Sequence, residues 1–120
     1  SGKKIQEIQN INLILQDAKK MIKSNTIDHF GELLHESWMV KKKLSNKISN
    51  DKLDELYNRA LSSGSSGGKL LGAGGGGFFV FYVKKSNQKF FLDKMSKLTV
   101  LPIKFDHDGC QILANTYTDY

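Results

Sequence analysis

The sequence has one cysteine, Cys110, and one proline, Pro102, among its 120 residues. A lone cysteine cannot close an internal disulfide and has no CxxC partner, which argues against a redox site or a structural zinc site. No stretch approaches the roughly 18 apolar residues of a membrane span. The N-terminus also lacks the basic cap and apolar run of a signal peptide. We therefore expect one folded domain, without membrane contact, in the cytoplasm.

Positive charge is in excess, because 18 lysine and arginine residues stand against 12 aspartate and glutamate residues, a formal net charge of +6. An excess of this size favours anionic partners without choosing among nucleotides, sugar phosphates and nucleic acid. Lys41, Lys42 and Lys43 form the one basic cluster. They are either the solvated end of a helix, where cations complement the macrodipole, or a sensor of a substrate phosphate.

The N-terminal half has the three- and four-residue apolar spacing of amphipathic helices. The first predicted helix begins near the N-terminus, a second follows a cap at Asn25 or Thr26, and a third begins at Asn50 or Asp51. The positions predicted to face the core are Ile5, Ile8, Ile11, Leu15, Ala18 and Ile22 in the first helix, Ile27, Phe30, Leu34 and Trp38 in the second, with Leu33, Val40 and Leu44 widening that stripe, and Leu53, Leu56, Tyr57, Ala60 and Leu61 in the third.

The C-terminal half has the patterns of strands. A serine- and glycine-rich segment at residues 62–68 predicts a dividing loop, and residues 78–83 form an apolar run typical of a strand buried on both faces. Residues 86–98 return to helical spacing, and alternating segments around a turn at 106–109 predict a hairpin. Pro102 should lie at a strand start or a sheet edge. The predicted fold is α+β, an antiparallel sheet of about four strands covered on one face by helices.

The run Gly72-Ala73-Gly74-Gly75-Gly76-Gly77 lies between a short strand predicted to end at Leu70-Leu71 and the predicted strand at residues 78–83. Main chain without Cβ atoms can bring its N–H groups close to another surface, as phosphate binding or tight packing beside a phosphate requires. The run fits the spacing of the dinucleotide-binding fingerprint, but that motif needs a helix after its last glycine, and a strand is predicted here. A P-loop is excluded because Leu70 follows Gly68-Lys69. An RNA-recognition strand would need a basic residue and an aromatic where Gly76 and Gly77 stand.

The stretch from Gly67 to Phe81 resembles the third conserved motif of the GHMP kinases, the superfamily of galactokinase, homoserine kinase, mevalonate kinase and phosphomevalonate kinase. Residues 33–45, 48–50 and 105–109 are similar to the branch that phosphorylates D-glycero-D-manno-heptose 7-phosphate. Together these segments cover about residues 30 to 113. The resemblance implies the C-terminal domain of a two-domain, ATP-dependent sugar kinase with a ferredoxin-like fold.

In that family, the N-terminal domain carries a Gly-Leu-Gly-Ser-Ser phosphate loop and, in many members, an aspartate base. Neither feature is found in this sequence. Residues 1–120 are therefore expected to form a single C-terminal domain that contains no catalytic residue, binds no cofactor tightly and is inactive alone. The implied partners are the N-terminal domain, ATP with Mg, and a sugar phosphate, with no nucleic acid and no membrane.

The resemblance places Gly72, Ala73, Gly74, Gly75 and Gly76 beside the phosphate site, where they would support the phosphate loop. Lys69 is either a contact to substrate phosphate or a solvated charge at the start of a strand. His35, Trp38 and Lys42 would lie on the helix that flanks the acceptor. For His35 and Trp38, packing in the core is the favoured alternative, because both lie on or beside the apolar stripe.

The sequence is open to two other interpretations. Asp106-His107-Asp108 contains metal-ligating side chains, but the glycine that follows makes turn chemistry the better explanation, so no metal site is predicted. The alternative function is a stand-alone α+β module that binds a small ligand or a protein without catalysis. Within the kinase interpretation, fucose and other hexoses are alternative acceptors to heptose 7-phosphate.

Overall fold

The computed structural model describes residues 2–45, 48–71, 77–96, 100–104 and 111–117. The chain first forms the helices α1 (Gly2–Lys23), α2 (Phe30–Leu44) and α3 (Asp51–Ser62), with a 3₁₀ turn at Ile27–His29 that leads into α2. It continues as the strands β1 (Ser65–Leu71) and β2 (Gly77–Val83), a 3₁₀ turn at Lys85–Asn87, the helix α4 (Gln88–Lys94) and the strands β3 (Val100–Lys104) and β4 (Gln111–Tyr117). The predicted α+β class is confirmed.

The strands form one sheet in the order β1-β2-β4-β3, and every neighbouring pair is antiparallel. The sheet consists of two strand pairs joined by α4, which in chain order differs from the βαββαβ arrangement of ferredoxin-like folds. Pro102 lies in β3 at one edge of the sheet, as predicted, where its missing N–H is tolerated. The predicted turn at 106–109 and Cys110 lie outside the described residues.

The apolar strand β2 divides the core into two clusters. Phe79, Phe81 and Val83 pack with residues of α3 and α4, whereas Val80 and Tyr82 pack with residues of α1 and the start of α2. Because alternate side chains of a strand point to opposite faces, helices cover both faces of the sheet at β2. The expectation that helices cover one face only is wrong. A strand with one solvent-facing side would carry a polar residue at every second position, and the run from 78 to 83 has no such alternation.

The predicted helices are present, but some of their limits and buried faces differ. In α3 the capping prediction is confirmed, since the Asn50 side-chain oxygen accepts a hydrogen bond of 3.0 Å from the Leu53 N–H. In α1 the predicted stripe fails at its N-terminal end, where Ile5 and Ile8 are exposed. Ile14, which the predicted stripe omits, is buried instead. In α2 the predicted widening of the stripe is wrong, since Leu33, Val40 and Leu44 are exposed. The fourth helix is shorter than predicted, ending at Lys94.

The predicted loop at residues 62–68 is in large part strand, because β1 already begins at Ser65. Its glycines allow two close contacts. A Cβ atom on Gly67 would overlap the carbonyl oxygen of Gly31 in α2, and one on Gly68 would overlap a ring carbon of Phe81 in β2. Helix α2 therefore packs with its first turn directly against the main chain of β1. A glycine-rich strand has low intrinsic propensity, so this packing, and not local preference, explains why the segment is extended.

We expect Gly67→Ala to lower the free energy of unfolding by more than about 2 kcal/mol, because the new methyl group would separate α2 from β1. The positive φ of Gly67, 155°, adds backbone strain to the overlap. The measurement is urea denaturation followed by circular dichroism. Ser86→Ala, at an exposed position away from this contact, serves as the control. Equal stability of the two variants would contradict the proposed role of the close contact.

Candidate functional site

The glycine run connects two buried strands that pair with each other. β1 ends at Leu71, which is 5% exposed, and Leu71 is paired with Phe78 at the start of β2. Both ends of the intervening segment are therefore fixed by the sheet. The predicted phosphate-side residues Gly72, Ala73, Gly74, Gly75 and Gly76 themselves lie outside the described residues.

Lys69 lies two residues before the end of β1, opposite Val80. Its side chain is half-buried and lines a groove between α1 and α2, which we call the α1–α2 groove. The groove consists of two adjoining cavities of about 370 and 280 Å³. The residues of the groove used below are Ile14, Asp17, Lys20, Lys41, Lys69 and Leu71. Leu71, which lines the groove, is also the last residue before the glycine run.

Burial lowers the pKa of the Lys69 ammonium, because partial removal from water disfavours the charged form. The nearby Lys41 ammonium lowers the same pKa further, and the carboxylate of Asp17 acts in the opposite direction. Lys69 is therefore not a fully solvated edge charge. Of the two interpretations of Lys69, its position in a cavity beside a second cation favours contact with an anion.

His35 is half-buried and contacts Tyr57 of α3. Its Nδ1 lies 2.7 Å from the Tyr57 hydroxyl oxygen, and the two rings are stacked with their centroids 5.7 Å apart. The same hydroxyl oxygen accepts a hydrogen bond of 3.2 Å from the Gly68 N–H in β1. Burial raises the pKa of Tyr57, so the hydroxyl stays protonated well above neutral pH. His35 thus helps to hold α2, α3 and β1 together.

Trp38 lies in the core and not on an acceptor-facing surface. It has no exposed area, and its ring packs edge-on against Phe79 with the centroids 5.6 Å apart. The ring cannot touch a sugar in this conformation. The structure therefore corrects the assignment of Trp38 as a substrate-binding residue and supports the alternative of core packing.

Lys42 forms an ion pair with Asp54 of α3, with a distance of 2.8 Å between the ammonium nitrogen and a carboxylate oxygen. The Ser49 hydroxyl donates a second hydrogen bond, of 2.9 Å, to the same carboxylate oxygen. The hydrogen bond from Lys42 holds the pKa of Asp54 below its usual range. Lys42 is thus engaged in joining α2 to α3, which argues against its predicted contact with substrate.

The groove contains two charged residues that the sequence did not single out, Asp17 and Lys20, together with Lys41 of the basic cluster. Lys41 belongs to the basic cluster, but the spacing alone does not show which of three consecutive lysines faces the groove. Asp17 precedes the buried Ala18, so the sequence places an acidic residue beside the apolar stripe of α1. That position is only a weak indication that Asp17 belongs to a site. Their grouping depends on how α1 and α2 pack on β1, which composition does not reveal.

Two kinds of site are not found in the part of the chain that the structure describes. No group of three or more histidine, cysteine, aspartate and glutamate side chains could hold a metal ion there. The Asp106-His107-Asp108 turn lies outside that part. Among the described helices, none combines the length and apolar character needed to cross a bilayer.

The comparison with known families gives one match. Residues 17–100 match the family model described as GHMP kinases C terminal, which is well over half of the chain and includes the glycine run. No curated protein and no solved structure matches the chain.

We expect Lys42→Met to lower the free energy of unfolding at pH 6 by less than about 1 kcal/mol, since the ion pair is partly exposed. A carboxylate whose pKa is lower in the folded state than in the unfolded state stabilises the protein at pH values above its unfolded-state pKa, which is about 4. This contribution is lost as the pH falls through the folded-state pKa. The difference between wild type and Lys42→Met should therefore shrink between pH 6 and pH 2. Denaturant titrations at several pH values measure it.

The matched control for this prediction is Lys43→Met, which removes the same charge from an exposed neighbouring position. We expect its effect on stability to be small and nearly independent of pH. If Lys42→Met and Lys43→Met changed stability equally across this pH range, the ion pair with Asp54 would not contribute to stability. Lys42 would then remain available for contact with substrate.

Proposed function

Because this chain belongs to the family of GHMP kinase C-terminal domains, we propose that it is the C-terminal domain of an ATP-dependent sugar kinase. The family match supports a kinase-type enzyme in general, and GHMP kinases use ATP and Mg and carry a partner N-terminal domain. In this proposal the N-terminal domain provides the phosphate loop and the catalytic base. The present chain supports the phosphate site with the main chain of residues 72–76.

One observation carries the proposal. A segment of five residues, four of them glycine, joins β1 to β2, two buried strands that pair with each other at Leu71 and Phe78. A glycine-rich linker between independent parts would not need such anchors. Strand β2 is buried almost completely from Phe79 to Val83, so one end of the segment is attached to a strand held on both faces by core packing.

This arrangement suits phosphoryl transfer, which needs positioning and charge stabilisation more than covalent chemistry. Backbone N–H groups stabilise developing negative charge best when they are held in place before the reaction. A segment without Cβ atoms can approach a phosphate or a phosphate loop closely, and its fixed ends limit how far it can move away.

For the acceptor, we propose heptose 7-phosphate, with unphosphorylated hexoses such as fucose as the alternatives. The support is the likeness of residues 33–45, 48–50 and 105–109 to the branch that uses this substrate. A cationic groove on the same domain is consistent with an acceptor that already bears a phosphate.

The first test concerns the gene. We expect the reading frame that encodes this chain to continue upstream into a Gly-Leu-Gly-Ser-Ser phosphate loop, and we expect the complete protein to transfer phosphate from ATP to heptose 7-phosphate. Coupled measurement of ADP across a panel of sugars and sugar phosphates checks the second point. A reading frame that begins near residue 1, together with no ATP consumption, would favour the stand-alone binding module instead.

The second test concerns the glycine run. In the complete enzyme, Gly74→Val should lower kcat/KM by roughly a hundredfold, because a side chain would obstruct the approach of main chain to the phosphate site. The free energy of unfolding should change by less than about 1 kcal/mol. Ser86→Val introduces the same side chain at an exposed position and should leave both quantities nearly unchanged. Unchanged kinetics in Gly74→Val would remove the glycine run from the mechanism.

A further inference from the structure

The α1–α2 groove has the size and the opening of a ligand site. Its part beside Lys41 and Leu71 has a volume of about 280 Å³, several times the roughly 30 Å³ that a water molecule occupies in the liquid. Lys20 and Lys41 at its rim are exposed, so a ligand can enter from solvent. Lys69 lies deeper and is half-buried on β1.

The groove has an excess of positive charge. Lys20, Lys41 and Lys69 line it together with a single carboxylate, Asp17. Within the described part of the chain, neither Lys41 nor Lys69 forms an ion pair with a carboxylate, in contrast to Lys42. Lys41 and Lys69 are close enough to repel each other. A half-buried ammonium group beside a second, exposed one costs folding energy that one shared counter-anion would offset.

We propose that the α1–α2 groove binds a phosphate dianion between the ammonium groups of Lys69 and Lys41, with Asp17 limiting the affinity from the side of α1. A phosphate monoester has a charge of about −1.5 to −2 at pH 7 and three acceptor oxygens, which matches two ammonium groups better than a monoanion does. The ligand is inorganic phosphate or the phosphate group of a small molecule. The proposal rests on the α1–α2 groove alone and does not depend on kinase activity.

The test is titration of the 120-residue chain with inorganic phosphate at constant ionic strength, followed by calorimetry and by amide chemical shifts of β1. We expect saturable binding of phosphate and much weaker binding of chloride and acetate. Lys69→Met and Lys41→Met should each weaken phosphate binding about tenfold. Lys43→Met, with the same loss of charge on α2, should change the affinity by less than about twofold.

Substitution of Asp17 should change the phosphate affinity in the opposite direction. Asp17→Asn should strengthen phosphate binding several-fold, whereas Asp93→Asn, at an exposed position on α4, should leave the affinity unchanged. Lys69→Met should be at least as stable as the wild-type chain, because it removes a partly buried charge, and the spectrum of β1 checks that it folds. Asp17→Asn and Lys41→Met keep the test decisive should Lys69→Met fold poorly.

Two further titrations distinguish the sources of the phosphate group. A sugar phosphate that binds more tightly than inorganic phosphate, with the same dependence on Lys69 and Lys41, identifies a phosphorylated small molecule. Equal affinities identify free phosphate. The proposal is overturned if phosphate binding does not saturate, or if Lys43→Met weakens it as much as Lys69→Met does. Because no turnover of ATP is measured, failure here would remove the groove as support for a phosphorylated acceptor but would leave the proposed transfer of phosphate from ATP untouched.

Discussion

The contact between the first turn of α2 and the main chain of β1 is the constraint on which the rest of the structure depends. It exists because Gly31 and Gly67 have no Cβ atoms at the point of closest approach. Packed this closely along the strand, α2 contributes Phe30 and Leu34 to the cluster that contains α1 and Trp38 to the cluster on the other side. One helix thus completes both halves of the core.

The same placement explains how the basic cluster is divided. Consecutive residues of an α-helix differ by about 100° in direction, since a turn contains 3.6 residues. On a helix that lies along the border between two clusters, this rotation directs Lys41 to the groove beside α1 and Lys42 to Asp54 of α3. One lysine is thereby available to an anion, and its neighbour is engaged in holding two helices together.

The sequence predicts those features that depend on short-range patterns. The helical stripe of α3, the cap at Asn50, the buried strand β2 and the edge position of Pro102 all follow from local spacing or from the chemistry of one residue. The extended segment from Ser65 does not, because its glycines favour a loop until α2 packs against them. The groove cannot be predicted from the sequence either, since Asp17, Lys41 and Lys69 are brought together only by the packing of three separate elements.

The position of α2 has a further consequence for the behaviour of this domain in concentrated solution. An exposed outer strand is a template on which other chains can assemble, which leads to domain swapping or amyloid-like association. In this sheet, β1 forms one border and lies against α2, and β3 forms the other border and contains a residue that cannot donate a hydrogen bond. The glycines that admit the helix therefore also help to protect the chain against self-association.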